Sequence, residues 1–184
     1  MARFQYVNGY YDGDVDAQSG EPHGYGTFVW KDGERYEGEF HSGTPHGRGK
    51  LLFANGDLYE GDFADGARTG YGKACFANGD CYEGDFFEGE RHGYGRMLYA
   101  DGTRYEGDWQ NGKKQGNGID HYENGSCYEG GYAQGKRHGY GKMLYANGSC
   151  YEGEWADGVR HGHGKMTAAD GTVTEGVFEN GAMK

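Results

Sequence analysis

An all-β fold, an elongated and twisted single-layer antiparallel meander of stacked hairpins, is predicted by three observations. A tyrosine recurs at positions 36, 59, 82, 105, 128 and 151, every gap is 23 residues, and Thr174 takes the next place. Within each unit Tyr36, Gly38 and Phe40 alternate with Glu37 and Glu39, the period-two pattern of a strand. Two glycine turn signals punctuate each unit. One lies at Ser42-Gly43, Asp65-Gly66, Asn111-Gly112 and Asp157-Gly158, the other at Asn55-Gly56, Asn78-Gly79, Asp101-Gly102, Asn124-Gly125, Asn147-Gly148 and Asp170-Gly171. A unit of this length with two turns is one hairpin plus its link to the next, and no helical period competes.

Residues 1–10 precede the pattern as an N-terminal lead-in, and 11–184 form the repeat array. The first repeat, 11–35, is irregular and needs two extra residues before Gly20 to align with the next. Regular repeats follow at 36–58, 59–81, 82–104, 105–127, 128–150 and 151–173, and residues 174–184 begin another. Fixed periodicity overrides the usual one-domain reading of a chain of 184 residues and implies an array stabilised by neighbour contacts. It would hold roughly fourteen or fifteen strands, about 4.8 Å apart and so roughly 70 Å from end to end.

Charge predicts the register. A three-residue turn at Ala54-Asn55-Gly56 sets Lys50 opposite Glu60 and Leu51 opposite Tyr59. The same rule pairs Lys73 with Glu83, Arg96 with Glu106, Lys142 with Glu152 and Lys165 with Glu175, whereas Ile119 faces Glu129. Each opposite-charge pair contributes about 0.2–1 kcal/mol.

All 39 glycines but Gly9 and Gly131 fall on the repeat grid. Those in turns meet a demand for positive φ. Gly38, Gly47 and Gly49 are expected inside strands, on the face that carries Tyr36 and Phe40, where they leave room for rings. On that face the tyrosine column joins a second column of Phe40, Phe63, Phe86, Trp109, Tyr132, Trp155 and Phe178. A third holds Trp30, Phe53, Phe76, Tyr99, Tyr122 and Tyr145. The rings cover the glycines and one another, but a single-layer sheet has no second layer, and large apolar patches mark interaction surfaces. The partner-binding face is therefore expected at Tyr59, Phe63, Tyr82, Phe86, Tyr105, Trp109, Tyr128, Tyr132, Tyr151 and Trp155. Repeat 105–127 breaks the rule with Gln115, Asn117, Ile119, Asp120 and His121, and Gly131 replaces the next acid. Those lapses read either as a specialised patch or as drift in a tolerant repeat.

Composition bounds the function. Hydrophobic residues are 35% and aromatics 16%, which fits an ordered, core-poor β structure. A net charge of −11 works against nucleic-acid binding and anionic lipid, both of which need surplus Lys and Arg. No run of about 18 apolar residues could span a bilayer, and residues 1–10 hold no apolar signal stretch, so a soluble, cytoplasmic chain is expected. Asn124-Gly125-Ser126 and Asn147-Gly148-Ser149 match the glycosylation sequon but read as turns.

Nothing in the pattern announces an enzyme or a cofactor. Histidines at 23, 46, 92, 138 and 161 share one column, but ladder neighbours two strands apart cannot converge on a metal. The recurrent carboxylates alternate with bases on an open face rather than meeting in a pocket. Gly-Tyr-Gly at 24–26, 70–72, 93–95 and 139–141 precedes no helix, and no serine or cysteine stands in a nucleophile motif. Cys75, Cys81, Cys127 and Cys150 lack CxxC spacing. Cys75 and Cys81 fall opposite each other, so a bridge is geometrically conceivable, but free thiols are expected in a reducing cytosol.

The stretch Tyr151-Glu152-Gly153-Glu154-Trp155-Ala156-Asp157-Gly158-Val159-Arg160-His161-Gly162-His163-Gly164 resembles the MORN (membrane occupation and recognition nexus) repeat, a YxGEWxxGKxHGxG-like unit, and the resemblance covers residues 11–181. It implies a non-enzymatic scaffold or partner-binding module of cytoskeletal or membrane-associated assemblies. The partner would be a protein or peptide segment, or a second copy forming a homodimer through terminal repeats. Two alternatives come with it: a phosphoinositide-recruitment module using the basic loops at Lys113, Lys114, Lys136 and Arg137, or a targeting domain of a larger enzyme.

Overall fold

The computed structural model describes residues 3–184; residues 1 and 2 of the lead-in lie outside the described residues. It is all-β, an antiparallel meander of hairpins, and no helix long and apolar enough to cross a membrane occurs among the described residues. Two compact units, Met1–Glu90 and Arg91–Lys184, divide the chain. The first carries β1 (Arg3–Tyr6), β2 (Gly9–Val15), β3 (Pro22–Trp30), β4 (Arg35–His41), β5 (Thr44–Leu52), β6 (Leu58–Ala64), β7 (Ala67–Cys75) and β8 (Cys81–Phe87). The second carries β9 (Glu90–Leu98), β10 (Arg104–Gln110), β11 (Lys113–His121), β12 (Cys127–Ala133), β13 (Lys136–Leu144), β14 (Cys150–Ala156), β15 (Val159–Thr167), β16 (Val173–Glu179) and β17 (Ala182–Met183). Within each unit every strand pairs antiparallel with the next. The strands among the described residues exceed the expected fourteen or fifteen because the lead-in folds back as β1 on β2 and Ala182–Met183 pairs with β16.

Both turn types follow from the glycine signals. Ser42 and Gly43 have φ of 46° and 79°, and Asp65, Glu88, Asn111, Gln134, Asp157 and Asn180 repeat that geometry, each followed by a positive-φ glycine. Two successive positive φ values define the turn whose twist matches the flanking strands. The longer link bends at Gly56 (φ 90°), where Gly56 N–H donates to Phe53 C=O and Phe53 N–H to Asp57 C=O. That loop sets the expected register: Lys50 opposite Glu60, Leu51 opposite Tyr59, and likewise the other four charge pairs and Ile119 with Glu129.

One strand glycine departs from expectation. In β4–β5 the register shifts between Gly38 and Phe40, so β5 bulges, and Gly47 sits in the bulge at φ 59° rather than beneath a ring. In four of the repeats the acid caps the bulge. Glu39 Oε1 accepts Arg48 N–H at 3.0 Å, Asp62 accepts Tyr71 N–H at 3.1 Å, Asp108 accepts Asn117 N–H at 2.8 Å and Glu154 accepts His163 N–H at 2.8 Å. A charge read as surface decoration thus satisfies a backbone donor that the bulge would leave unpaired.

Cys75 and Cys81 face each other across β7–β8 and are joined as a disulfide, which overturns the expectation of free thiols there; Cys127 and Cys150 are free. Their placement opposite each other is what the register already required.

Candidate partner-binding surface

Alternation gives each unit two faces. The ring face carries the tyrosine and second aromatic columns, and the ladder face carries the paired charges. Tyr36, Tyr59, Tyr82, Tyr105, Tyr128 and Tyr151 are buried at 0–1% exposure, and their second-column neighbours Phe63, Phe86, Trp109, Tyr132 and Trp155 at 3–5%. At the ten residues where a partner-binding face is expected, the rings close on one another. Each tyrosine lies flat over two strand glycines. A Cβ at Gly38 would sit 2.5 Å from Gly49 Cα and 2.7 Å from the Tyr36 hydroxyl, and one at Gly49 would overlap the Tyr36 ring. The second-column rings then meet the tyrosines edge to face, Tyr59 with Phe63 at 5.1 Å and with Phe86 at 4.9 Å, the arrangement that ring quadrupoles favour. Each hydroxyl donates to a carbonyl three residues on, Tyr59 to Asp62 at 3.0 Å and Tyr151 to Glu154 at 2.9 Å. Burial pushes the Tyr59 and Tyr128 phenols up to about 12.

An arginine column that recurs at the repeat period and includes the basic-loop residue Arg137 seals this face. Arg68 Nη2 donates to Gly89 C=O at 2.5 Å, Arg91 to Gly112 at 2.7 Å, Arg137 to Gly158 at 2.7 Å and Arg160 to Gly181 at 2.6 Å. Each guanidinium also lies over rings, Arg137 4.4 Å from the Trp155 centroid. The basic-loop expectation changes accordingly. Arg137 and Lys114 point into the fold; Lys113 bonds Gln134 at 2.9 Å, and Lys136 pairs with Asp157 at 3.3 Å. In the first unit Pro22 and Pro45 hold the places that arginine takes later, and an apolar cavity of about 490 Å³ opens there among Tyr6, Phe28, Trp30 and Phe40.

The five rule-breaking residues of repeat 105–127 divide between the faces. Asp120 points inward at 4% exposure, where Ala74, Met97 and Met143 stand in other units. Its carboxylate meets Lys114 Nζ at 2.6 Å and accepts the Tyr132 hydroxyl at 2.6 Å. Burial drives the Lys114 ammonium below the usual lysine range despite Asp120, and raises the Tyr132 phenol, helped by the Asp120 charge. Three substitutions thus satisfy one another: a lysine for arginine, an acid for an apolar residue and a tyrosine for phenylalanine or tryptophan. Gln115 accepts Gln134 N–H at 3.0 Å. Asn117, Ile119 and His121 face the ladder side.

On that side, tyrosines remain open: Tyr25 is 56% exposed, Tyr71 49%, Tyr94 51% and Tyr140 63%. Each leans on the acid of the ladder, Tyr71 Oη donating to Glu83 at 2.9 Å and Tyr94 Oη to Glu106 at 2.6 Å. These hydrogen bonds hold the rings upright as walls. In the first unit Tyr25, Glu37, Arg48, Lys50 and Glu60 border a polar groove of about 380 Å³. In the second, a groove of about 540 Å³ runs between Tyr94 and Tyr140 over Asn117 and Ile119. Among the described residues no three His, Cys, Asp or Glu side chains converge as a metal site.

A family model described as MORN repeat matches residues 18–35, 36–58, 59–81, 82–104, 105–127, 128–150 and 151–173. No curated protein matches the chain. Among solved structures, the SAS-4 (dCPAP) TCP domain of Drosophila melanogaster, in complex with a proline-rich motif of Ana2 (dSTIL), is similar at 13% identity over 92% of this chain and 90% of that one, with a TM-score of 0.52. The TCP10 domain of Danio rerio CPAP is similar at 13% identity over 100% and 96% of the two chains, with a TM-score of 0.34.

Proposed function

The chain belongs to the MORN repeat family, and from that premise we propose that it is a non-enzymatic interaction module that holds an extended segment of a protein partner on its ladder face, within a cytoskeletal or membrane-associated assembly. The observation that carries this reading is the tyrosine column at Tyr25, Tyr71, Tyr94 and Tyr140, each about half or more exposed to solvent beside shallow grooves, while the ring face is closed. Rigid aromatic walls with a polar rim supply contact area at low entropic cost. A domain of similar fold that binds a proline-rich motif supports a peptide as the occupant. A second reading comes from the first unit, where the apolar cavity beside Pro22 and Pro45 would take one hydrophobic side chain. The paired state of Lys113 and Lys136 and the inward course of Lys114 and Arg137 favour the peptide over a phosphoinositide.

Site-specific photocrosslinking tests the proposal. A photoreactive phenylalanine replacing Tyr71 or Tyr140 is expected to trap a partner in cells, whereas one at Glu123 is expected to trap none. A second copy of the chain trapped at these sites would identify self-association as the mode. Adducts at Glu123 alone, or none at any site in a folded protein, would remove the ladder-face reading.

A further inference from the structure

Across the second unit the ladder face reads as a row of facing side chains: Arg96 of β9, Glu106 of β10, Ile119 of β11, Glu129 of β12, Lys142 of β13 and Glu152 of β14. Ile119 is the break in that row. The same place holds Lys50 in β5, Lys73 in β7, Arg96 in β9, Lys142 in β13 and Lys165 in β15. Where a base should neutralise two flanking acids, an apolar side chain stands.

The acids on either side are not served equally. Glu106 accepts the Tyr94 hydroxyl at 2.6 Å and pairs with Arg96 at 3.0 Å. Lys142 lies 4.0 Å from Glu152, on the far side from Glu129, and Glu129 makes no ion pair among the described residues. Two further lapses widen the same spot. Asn117 stands where Tyr71 stands in the first unit, and Gly131 stands where Asp85 stands, so a ring and a carboxylate are both missing between Tyr94 and Tyr140. A larger residue at Gly131 would run into the His138 carbonyl. The outcome is the groove of about 540 Å³, walled by two tyrosines and floored by Ile119, with Glu129 at its rim.

We propose that this groove receives an arginine side chain from the extended partner segment. The guanidinium replaces the missing ladder base between Glu106 and Glu129, and its methylenes cover Ile119. Arginine fits better than lysine because its planar fork grips a carboxylate through two parallel bonds, stacks on an aromatic ring and sheds water more readily. The net charge of −11 favours the approach of a basic segment to the chain. The inference rests on the interaction-module reading and adds the chemistry that the partner must present.

The test titrates the isotope-labelled full chain with a blocked pentapeptide, acetyl-Ala-Ala-Arg-Ala-Ala-amide, and with its citrulline counterpart, followed by amide chemical shifts. The arginine peptide is expected to move the signals of Gly118, Ile119, Glu129 and Gly130, and the citrulline peptide to bind about tenfold more weakly. Ile119→Lys restores the base that five other strands carry, so the fold is kept, and it is expected to weaken arginine binding to the same degree. Glu129→Gln should do likewise without filling the groove. Equal binding of the citrulline peptide, unchanged affinity in Ile119→Lys, or no shift at the groove would overturn the arginine site. Shifts confined to Tyr25 and Tyr71 would also overturn it while leaving the module reading intact, and crosslinking at Tyr71 decides that reading separately.

Discussion

Lys114 Nζ lies 2.6 Å from the Asp120 carboxylate with their side chains only 15% and 5% exposed, so an ion pair occupies a place that neighbouring units fill with an apolar residue beneath an arginine. Tyr132 closes the set from the other carboxylate oxygen. Removing one partner strands a buried charge, and Asp120→Ala or Lys114→Ala should each cost about 3–5 kcal/mol. Reverting all three positions to the neighbouring pattern, Lys114→Arg with Asp120→Met and Tyr132→Trp, should return stability to the native level or above. Urea denaturation of the single and triple variants measures both.

The arginine column ties each hairpin turn to the next. Arg137→Lys keeps the charge but loses the fork that reaches the Gly158 carbonyl while covering Trp155. A loss of about 1.5–3 kcal/mol is expected, the size of a charge-assisted hydrogen bond with its stacking. Replacing the exposed Lys136 with alanine should stay within about 0.5 kcal/mol, and urea midpoints distinguish the two.

Two glycines of successive hairpins, Gly49 in β5 and Gly66 in the turn between β6 and β7, should fail for different reasons. Gly49→Ala drives a methyl group into the Tyr36 ring, an overpacking that should cost about 3 kcal/mol. Gly66 sits at φ 81° with nothing near its missing side chain, so Gly66→Ala should cost only about 1 kcal/mol of backbone strain. Thermal unfolding of the two variants gives the order.

Alkali should unfold the protein through its buried rings. Burial raises the Tyr11, Tyr59 and Tyr128 phenols to about 12 in the folded chain, against 10 when exposed. Above pH 10 the unfolded chain loses these protons first, so the folded state binds more of them and stability falls as pH rises from 10 towards 12. Circular dichroism followed with ultraviolet tyrosine titration should show buried-phenol ionisation and loss of strand structure as one event.

The register, both turn types and the glycine sockets were legible because each depends on sequence-local signals: an Asn-Gly step, a base ten residues before an acid, a glycine two residues after a tyrosine. The closure of the ring face was not. It depends on Arg68 and its equivalents reaching a carbonyl in the next hairpin, and on Phe63 and Phe86 meeting Tyr59 from two sides, neither of which alternation along one strand reveals. The bulge escaped for a similar reason, since Gly47 obeys the alternation by position but leaves it by φ. Asp120 and Ile119 both break the repeat, yet only the opposite faces of β11 separate a core ion pair from a groove floor.

Tyrosine nitration mapped peptide by peptide tests the division of faces most directly. In the native protein Tyr25, Tyr71, Tyr94 and Tyr140 should be modified readily, and Tyr36, Tyr59, Tyr82, Tyr105, Tyr128 and Tyr151 only after unfolding. Nitration of the second group at the rate of the first, in protein that keeps its strand signature, would contradict the closed ring face and return the aromatic columns to the role of binding surface.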